Sequence, residues 1–322
     1  MSELKRSDVG AATVQLWQEG GTGAFLRELI DDASLFPPAM LPMADAVAQH
    51  MEHRRGQYSW ALGRFVCPAS RLGELLSTMP RGGPPWRLSV ILDLSARGPW
   101  TASLAEAMAG VLRFRETGRG VIESLEARLP AGVGAGEFAR ALVESGGEVA
   151  PGAHPFVEVP FAEGWESNIP RALEEIAGLG GAVAGAKVRC GGSRPQDFPS
   201  VEQLARFIAC CARLGVPFKA TAGLHHPLPH SDPALDIRQH GFLNVIGGGL
   251  LAASGRVDES ELLALLDDDA PDSFHLGRDG FSWRGHRLTP EEIERGRRLV
   301  TCFGSCSFLE PMEGLAALLG AS

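Results

Sequence analysis

The sequence predicts an α/β protein: a (β/α)8 TIM-type barrel, with room for irregularity and a small C-terminal hairpin insertion. Three observations predict it. Short apolar strand-like runs alternate with amphipathic segments from about Gly63 onward. Their connections are short, which suits parallel strands joined by crossover helices. No GxGxxG turn supports the open dinucleotide-binding alternative.

The elements follow in order. A first strand is expected within Leu29 to Phe36, ahead of the stiff Pro37-Pro38 loop. Arg64 to Cys67 reads as a strand and Ala69 to Thr78 as its helix. Leu88 to Asp93 and Val121 to Glu126 are further strands, with helical patterns over Ser103 to Arg115 and Ala135 to Glu144. Pro155 to Val159 is the next strand, with a helix from Asn168 to Ala177 behind it. Then come two lysine-bearing strands, around Lys187 and Lys219. The helix between them, from Pro199 to Gly215, has Leu204, Phe207, Ile208 and Leu214 at core spacing. Phe274 to Arg287, centred on Arg278-Asp279-Gly280, reads as a β-hairpin. Phe303 to Phe308 reads as the closing strand. Residues 1–322 are taken as one barrel domain with an N-terminal appendage and a C-terminal elaboration.

Composition narrows the function classes. The chain has 322 residues, of which 44% are hydrophobic and 21% charged, as in a folded globular protein. A net charge of −9 argues against a nucleic-acid surface. The longest apolar run, Phe242 to Ala253, is broken by Asn244 and glycines and is too short to span a bilayer. Met1 to Asp8 is polar, with no apolar h-region behind it, so no secretory leader is expected. Six cysteines without a CxxC pair read as reduced thiols, and the expected location is the cytoplasm. The expected partner is a small-molecule substrate, with no nucleic acid and no membrane; a homo-oligomer is compatible with this composition.

In a barrel, residues at the carboxyl ends of strands face the active-site mouth. That rule selects Asp93, Glu126, Glu158, Lys187, Arg189, Lys219 and Thr221, with His225 and His226 just beyond. Alternation puts Arg189 on the face of Lys187, and Thr221 on the face of Lys219. Two ammonium groups roughly 5 Å apart would repel by about 3 kcal/mol at an effective dielectric near 20. That is about two pKa units, enough to favour one neutral, nucleophilic amine. The competing reading pairs each lysine with a carboxylate such as Glu158 or Asp93.

The segments Lys187-Val188-Arg189-Cys190-Gly191 and Phe218-Lys219-Ala220-Thr221-Ala222-Gly223 resemble the two lysine motifs of deoxyribose-phosphate aldolase and its class I aldolase relatives. The resemblance implies a Schiff-base lysine at Lys187, a pKa-lowering neighbour at Lys219, and a proton-moving acid near Asp93. Glu126 and Glu158 are further candidates for proton transfer, and no cofactor is implied. Arg189 and Cys190 depart from the small hydroxyl residues of that family. Leu224-His225-His226-Pro227 replaces its second glycine and phosphate-binding loop. A sugar-phosphate substrate is therefore not expected, whereas a small oxygenated anion held by the planar fork of Arg189 is. Leu35 to Ala39, Phe218 to Pro227, His240 to Asn244 and Phe303 to Phe308 also resemble segments of a bacterial protein family, a likeness that implies no activity.

His225, His226, His230 and His240 form a second constellation. They allow substrate contact, general acid–base work or metal-assisted hydrolysis or isomerisation. No HxH or HExxH spacing supports a metal, and adjacent His225 and His226 should diverge, so no metal ligands are assigned. His240 could bring an anion-binding helix amino end to the mouth, or simply open a packed helix. Cys306 as a nucleophile would need a base beside it; a buried inert thiol is the plainer expectation. A third reading is a metabolite-binding barrel without turnover.

Overall fold

The computed structural model describes residues 16–180 and 183–320. Met1 to Asp8 lies outside the described residues. Strands β1 (Ile30–Asp32), β2 (Leu62–Pro68), β3 (Trp86–Ile91), β4 (Gly120–Arg128), β5 (His154–Glu158), β6 (Gly185–Arg189) and β7 (Phe218–Thr221) come first along the chain. A hairpin, β8 (His230–Asp232) and β9 (Ile237–Gln239), follows, then an antiparallel meander of β10 (Phe274–Gly277), β11 (Gly280–Trp283) and β12 (His286–Leu288). The last strand is β13 (Val300–Ser305).

Eight of these close a parallel barrel in the order β1-β13-β7-β6-β5-β4-β3-β2, with β1 also pairing β2. Eleven α-helices occur among the described residues. The fold is an α/β barrel of the TIM type. The crossovers between barrel strands, most of them helical, return each strand parallel to the last, and closure leaves no unpaired edge in the barrel.

Several boundaries differ from the sequence reading, for local reasons. β3 ends at Ile91, so Asp93 falls beyond the strand. The segment after β2 starts as a 3-10 turn, Ala69–Arg71, before its α-helix Leu72–Thr78. The Trp165–Ala177 helix begins before Asn168 and carries Pro170 inside it, where the missing N–H leaves the Glu166 carbonyl without its i→i−4 donor. The closing strand is Val300–Ser305, not Phe303 to Phe308, because Ser305 Oγ donates to Ser307 O at 2.7 Å and turns the chain. The expected hairpin over Phe274 to Arg287 is a three-stranded meander. The hairpin β8–β9 has no apolar alternation to announce it.

Two helices position the site. Val201–Leu214 joins β6 to β7 and starts at a capping box, with Ser200 Oγ accepting from Gln203 N at 3.3 Å and Gln203 Oε1 accepting from Ser200 N at 2.9 Å. Its apolar stripe buries Leu204, Phe207, Ile208 and Cys211 against the barrel wall. Phe242–Ala253 is buried through most of its length, as its composition requires. Its one polar interior side chain, Asn244, donates to Leu265 O at 2.7 Å and Asp268 O at 2.8 Å. No helix among the described residues is long and apolar enough to cross a membrane.

Candidate active site

Lys187 and Lys219 are register partners on the adjacent parallel strands β6 and β7. Both side chains are almost wholly buried inside the barrel, at 3% and 1% exposure. Burial on that scale is tolerated only with compensating charge. Lys219 Nζ lies 2.8 Å from Asp31 Oδ2 and 2.6 Å from Glu126 Oε1. Lys187 Nζ lies 2.8 Å from Glu126 Oε2 and 2.9 Å from Glu158 Oε2. A single carboxylate, Glu126, therefore bridges the two ammonium groups.

The alternation of charge continues at both ends. Towards the carboxyl ends of the strands, Arg189 Nε reaches Glu158 Oε1 at 3.2 Å, and the Arg189 side chain is 43% exposed. On the other side of Lys219, Asp31 Oδ1 accepts from Arg64 N at 2.8 Å and lies 3.6 Å from the Arg64 guanidinium. Arg64 then meets Glu123 at 3.0 Å, Glu123 meets Arg87 at 2.6 Å, and Arg87 meets Glu28 at 2.6 Å. Cations and anions thus alternate from Glu28 to Arg189 in equal number. Ser89 Oγ donates to Glu126 Oε1, lies 2.5 Å from Ser124 Oγ, and accepts from Lys219 at 3.5 Å. The Cys302 thiol donates to Asp31 Oδ2 at 3.3 Å.

This network fixes protonation states. Burial by itself pushes the Lys187 and Lys219 amines down, but the flanking carboxylates outweigh it and both rise above the ordinary lysine value. Burial likewise pushes Glu126 and Glu158 up, and the lysines overcome it. Glu126 is driven well below the usual carboxylate range and Glu158 is held at about 2. The expected depression of Lys187 by Lys219 is thereby corrected: carboxylate pairing, not mutual repulsion, decides the charge of both.

Adjacent Asp31 and Asp32 serve opposite faces of β1, as the two-residue period of a strand requires. Asp31 points into the barrel towards Lys219. Asp32 points out to His50, whose Nδ1 lies 2.8 Å from Asp32 Oδ2. His50 packs there against Phe65 and Trp86.

Asp93 does not join the lysines. It is exposed beyond β3, where it accepts hydrogen bonds from the Ser70 N–H and hydroxyl. It lines a cleft with Leu72, Ser103, Ala107 and Phe114 outside the barrel wall. Thr221 ends β7 beside Arg189, and its carbonyl accepts from Cys190 N at 2.8 Å. The chain leaves β6 and β7 in close contact: a Cβ on Gly191 would sit 2.6 Å from Gly223 Cα, and Gly223 has φ +69°.

The histidines separate. His225 Nδ1 lies 2.7 Å from Glu310 Oε2, and its Nε2 lies 3.6 Å from Cys306 Sγ. The His226 ring packs on His230 at 4.0 Å between centroids. His240 is buried, with Nε2 2.8 Å from Pro199 O, and burial lowers its pKa. His240 thereby ties the amino end of the Phe242–Ala253 helix to the loop before Val201. No cluster of three or more His, Cys, Asp or Glu suited to a metal ion occurs among the described residues.

Sequence reasoning missed Ser89 as a partner of Lys219, Ser124 as a partner of Ser89, Cys302 and Arg64 as partners of Asp31, and Glu310 as the partner of His225. The alternation of β3 and β4 places Ser89 and Ser124 inward, a signal that could have found them. Nothing local marks Glu310.

No protein-family model matches the chain, and no curated protein matches it in sequence. Among solved structures, ornithine decarboxylase from Entamoeba histolytica is similar at 12% identity and a TM-score of 0.33. The match covers 79% of this chain and 59% of the neighbour, so the chain spans less than two thirds of that protein. At that level the likeness carries no argument about activity. The barrel rests on its own strand pairing.

Proposed function

We propose that this barrel is an enzyme of lyase or isomerase type. In this reading it binds a small oxygenated anion at the carboxyl-terminal mouth and uses Lys187 as a fixed cation. One observation carries the proposal: Lys187 is pinned between Glu126 and Glu158 directly beneath the half-exposed Arg189. Buried charges with strongly shifted protonation equilibria at the ends of barrel strands are the hallmark of sites built to handle charge. Arg189 spends one N–H on Glu158 and keeps the rest of its fork for a carboxylate. Lys187 has three N–H donors, two of them held by carboxylates; the third serves an oxygen on which negative charge develops, as in an enolate or alkoxide.

The imine step implied by the aldolase resemblance is disfavoured in the resting protein. Lys187 is raised and Glu158 lowered by the same ion pair, so moving the Lys187 proton to Glu158 is uphill in the resting protein. An aldolase reading needs a substrate that rearranges this network first. Borohydride reduction with a panel of small aldehydes and keto acids, read by peptide mass spectrometry, separates the two. The fixed-cation reading expects no adduct on Lys187 or Lys219; a substrate-dependent adduct on Lys187 overturns it and restores imine chemistry. A binding barrel without turnover is the second reading, favoured by the same locked ion pairs. Ligand binding without product formation across that panel would select it.

A further inference from the structure

We propose that Cys306, His225 and Glu310 form a thiol nucleophile site at the carboxyl-terminal mouth. The site would accept the acyl group of an activated carboxylic ester or thioester and pass it to water. Nothing in the lysine network requires these residues, yet three elements bring them together. Cys306 follows β13, His225 follows β7, and Glu310 lies in the first turn of the Leu309–Leu318 helix. β7 and β13 are hydrogen-bonded neighbours, with Gly304 opposite Thr221, so both loops leave the same rim.

The geometry is that of nucleophile, base and orienter. His225 Nε2 lies 3.6 Å from Cys306 Sγ, within hydrogen-bond reach for sulfur, and His225 Nδ1 lies 2.7 Å from Glu310 Oε2. With Nδ1–H held by Glu310, Nε2 is the free acceptor and faces the thiol. The imidazole is largely enclosed, with 15% of its side chain exposed. Burial disfavours its charged form, but the thiol and carboxylate outweigh burial and raise its pKa above the ordinary imidazole value. Cys306 itself sits on a tight strand-to-helix turn, fixed by Ser305 Oγ accepting from Ser307 N at 3.3 Å. That placement sets the buried Cys306 thiol, 8% exposed, just beyond the sheet end and ahead of a helix amino terminus, where negative charge is favoured.

The step balances without an added oxidant or cofactor. His225 Nε2 takes the Cys306 proton as sulfur attacks the acyl carbon, forming the S–C bond. The tetrahedral adduct collapses, its bond to the leaving oxygen or sulfur breaks, and that atom takes the proton back from His225. Water, deprotonated by the same nitrogen, then cleaves the thioester, releasing a carboxylic acid and the free thiol. The acyl groups best suited carry a carboxylate of their own. Thr221 pairs with both Gly304 and Arg189, so the Arg189 backbone stands two strand spacings, roughly 10 Å, from β13. This anionic preference rests on the role given to Arg189 above; the acyl-transfer chemistry does not.

The test uses the intact chain with two donors, p-nitrophenyl acetate and mono-p-nitrophenyl succinate, following the p-nitrophenol burst and the mass of the acylated protein. The expected result is a burst with one acyl group mapped to Cys306. Cys306→Ala and His225→Ala should abolish it while circular dichroism stays native. Glu310→Gln should slow acylation roughly ten- to a hundredfold and shift its pH midpoint downward, and Glu310→Asp should recover part of the rate. Label found elsewhere, or a burst that survives His225→Ala with the fold intact, overturns the proposal. Should the variants fail to fold, absence of the adduct in the wild-type protein overturns it equally. A preference for the succinyl donor that vanishes in Arg189→Ala supports the anionic specificity. Equal rates for both donors with Cys306 labelled would refute that specificity and the anion-binding role of Arg189 while leaving the thiol site standing.

Discussion

Lys187 and Lys219 face each other in register on adjacent strands, yet their ammonium groups share one carboxylate, Glu126, which takes one lysine on each oxygen at 2.8 and 2.6 Å. The pair is therefore a mortared joint between like charges rather than a device for discharging one of them. Its effects on stability and binding can be measured directly.

Removing the shared carboxylate should be costly. Glu126→Ala leaves two buried ammonium groups with one carboxylate each, and loss of a partner from a buried pair costs about 3–5 kcal/mol. Urea unfolding at pH 7 reads this directly. A loss below about 1 kcal/mol, the scale of an exposed ion pair, would show that the network is more hydrated than its burial implies.

Acid should unfold the barrel through its carboxylates. Folding lowers Glu158 from an ordinary 4.5 to about 2, because Lys187 and Arg189 overcome burial. A carboxyl lowered on folding stabilises fully above its unfolded value and loses that contribution as pH falls through its folded value. The window is therefore pH 5 down to about 2, and Glu158 alone contributes about 3 kcal/mol. Unfolding free energies measured at pH 7, 4 and 3 should fall in order. A flat profile over that range, in wild type and in Glu158→Gln alike, would contradict it.

Arg189 should matter for ligands more than for the fold. Its side chain is 43% exposed, and a partly exposed ion pair contributes about 0–1 kcal/mol. Arg189→Gln is expected to leave the melting temperature nearly unchanged while weakening binding of small dicarboxylates tenfold or more, about 1.4 kcal/mol. Calorimetric titration of both proteins checks this. Equal affinities would remove Arg189 from the binding site.

The exit of β6 should reject a methyl group. In Gly191→Ala the new Cβ would meet the Gly223 backbone at 2.6 Å from its Cα, an atom that cannot swing aside as a side-chain tip could. Overpacking of this kind costs about 1–3 kcal/mol. Thermal unfolding reads the loss, and the displaced Arg189 side chain should weaken anion binding in the same variant. An unchanged melting temperature would mean that the two loops separate freely.

Much of this was legible in the chain. Their positions at the carboxyl ends of successive strands single out Glu126, Glu158, Lys187, Arg189 and Lys219, and the structure gathers all five. Asp93 was misplaced because β3 ends at Ile91, before the aspartate, which turns to Ser70. His240 looked like a mouth residue but serves as a buried tie to Pro199. Neither strand ends nor loop directions follow from apolar spacing, since both depend on what packs above them.

The sequence by itself determined the barrel and the sidedness of its charged residues, because alternation and crossover handedness are local properties of the chain. Only the tertiary structure decided the charge partners. Asp31 reaches Lys219 across 188 positions of sequence, and Glu310 reaches His225 across 85, through barrel closure between the first and last strands and the turn after β13. Those contacts give Lys219 a buried carboxylate partner and fix the ring of His225, which lies 3.6 Å from the Cys306 sulfur. They arise from how distant strands meet in register, which no local pattern encodes.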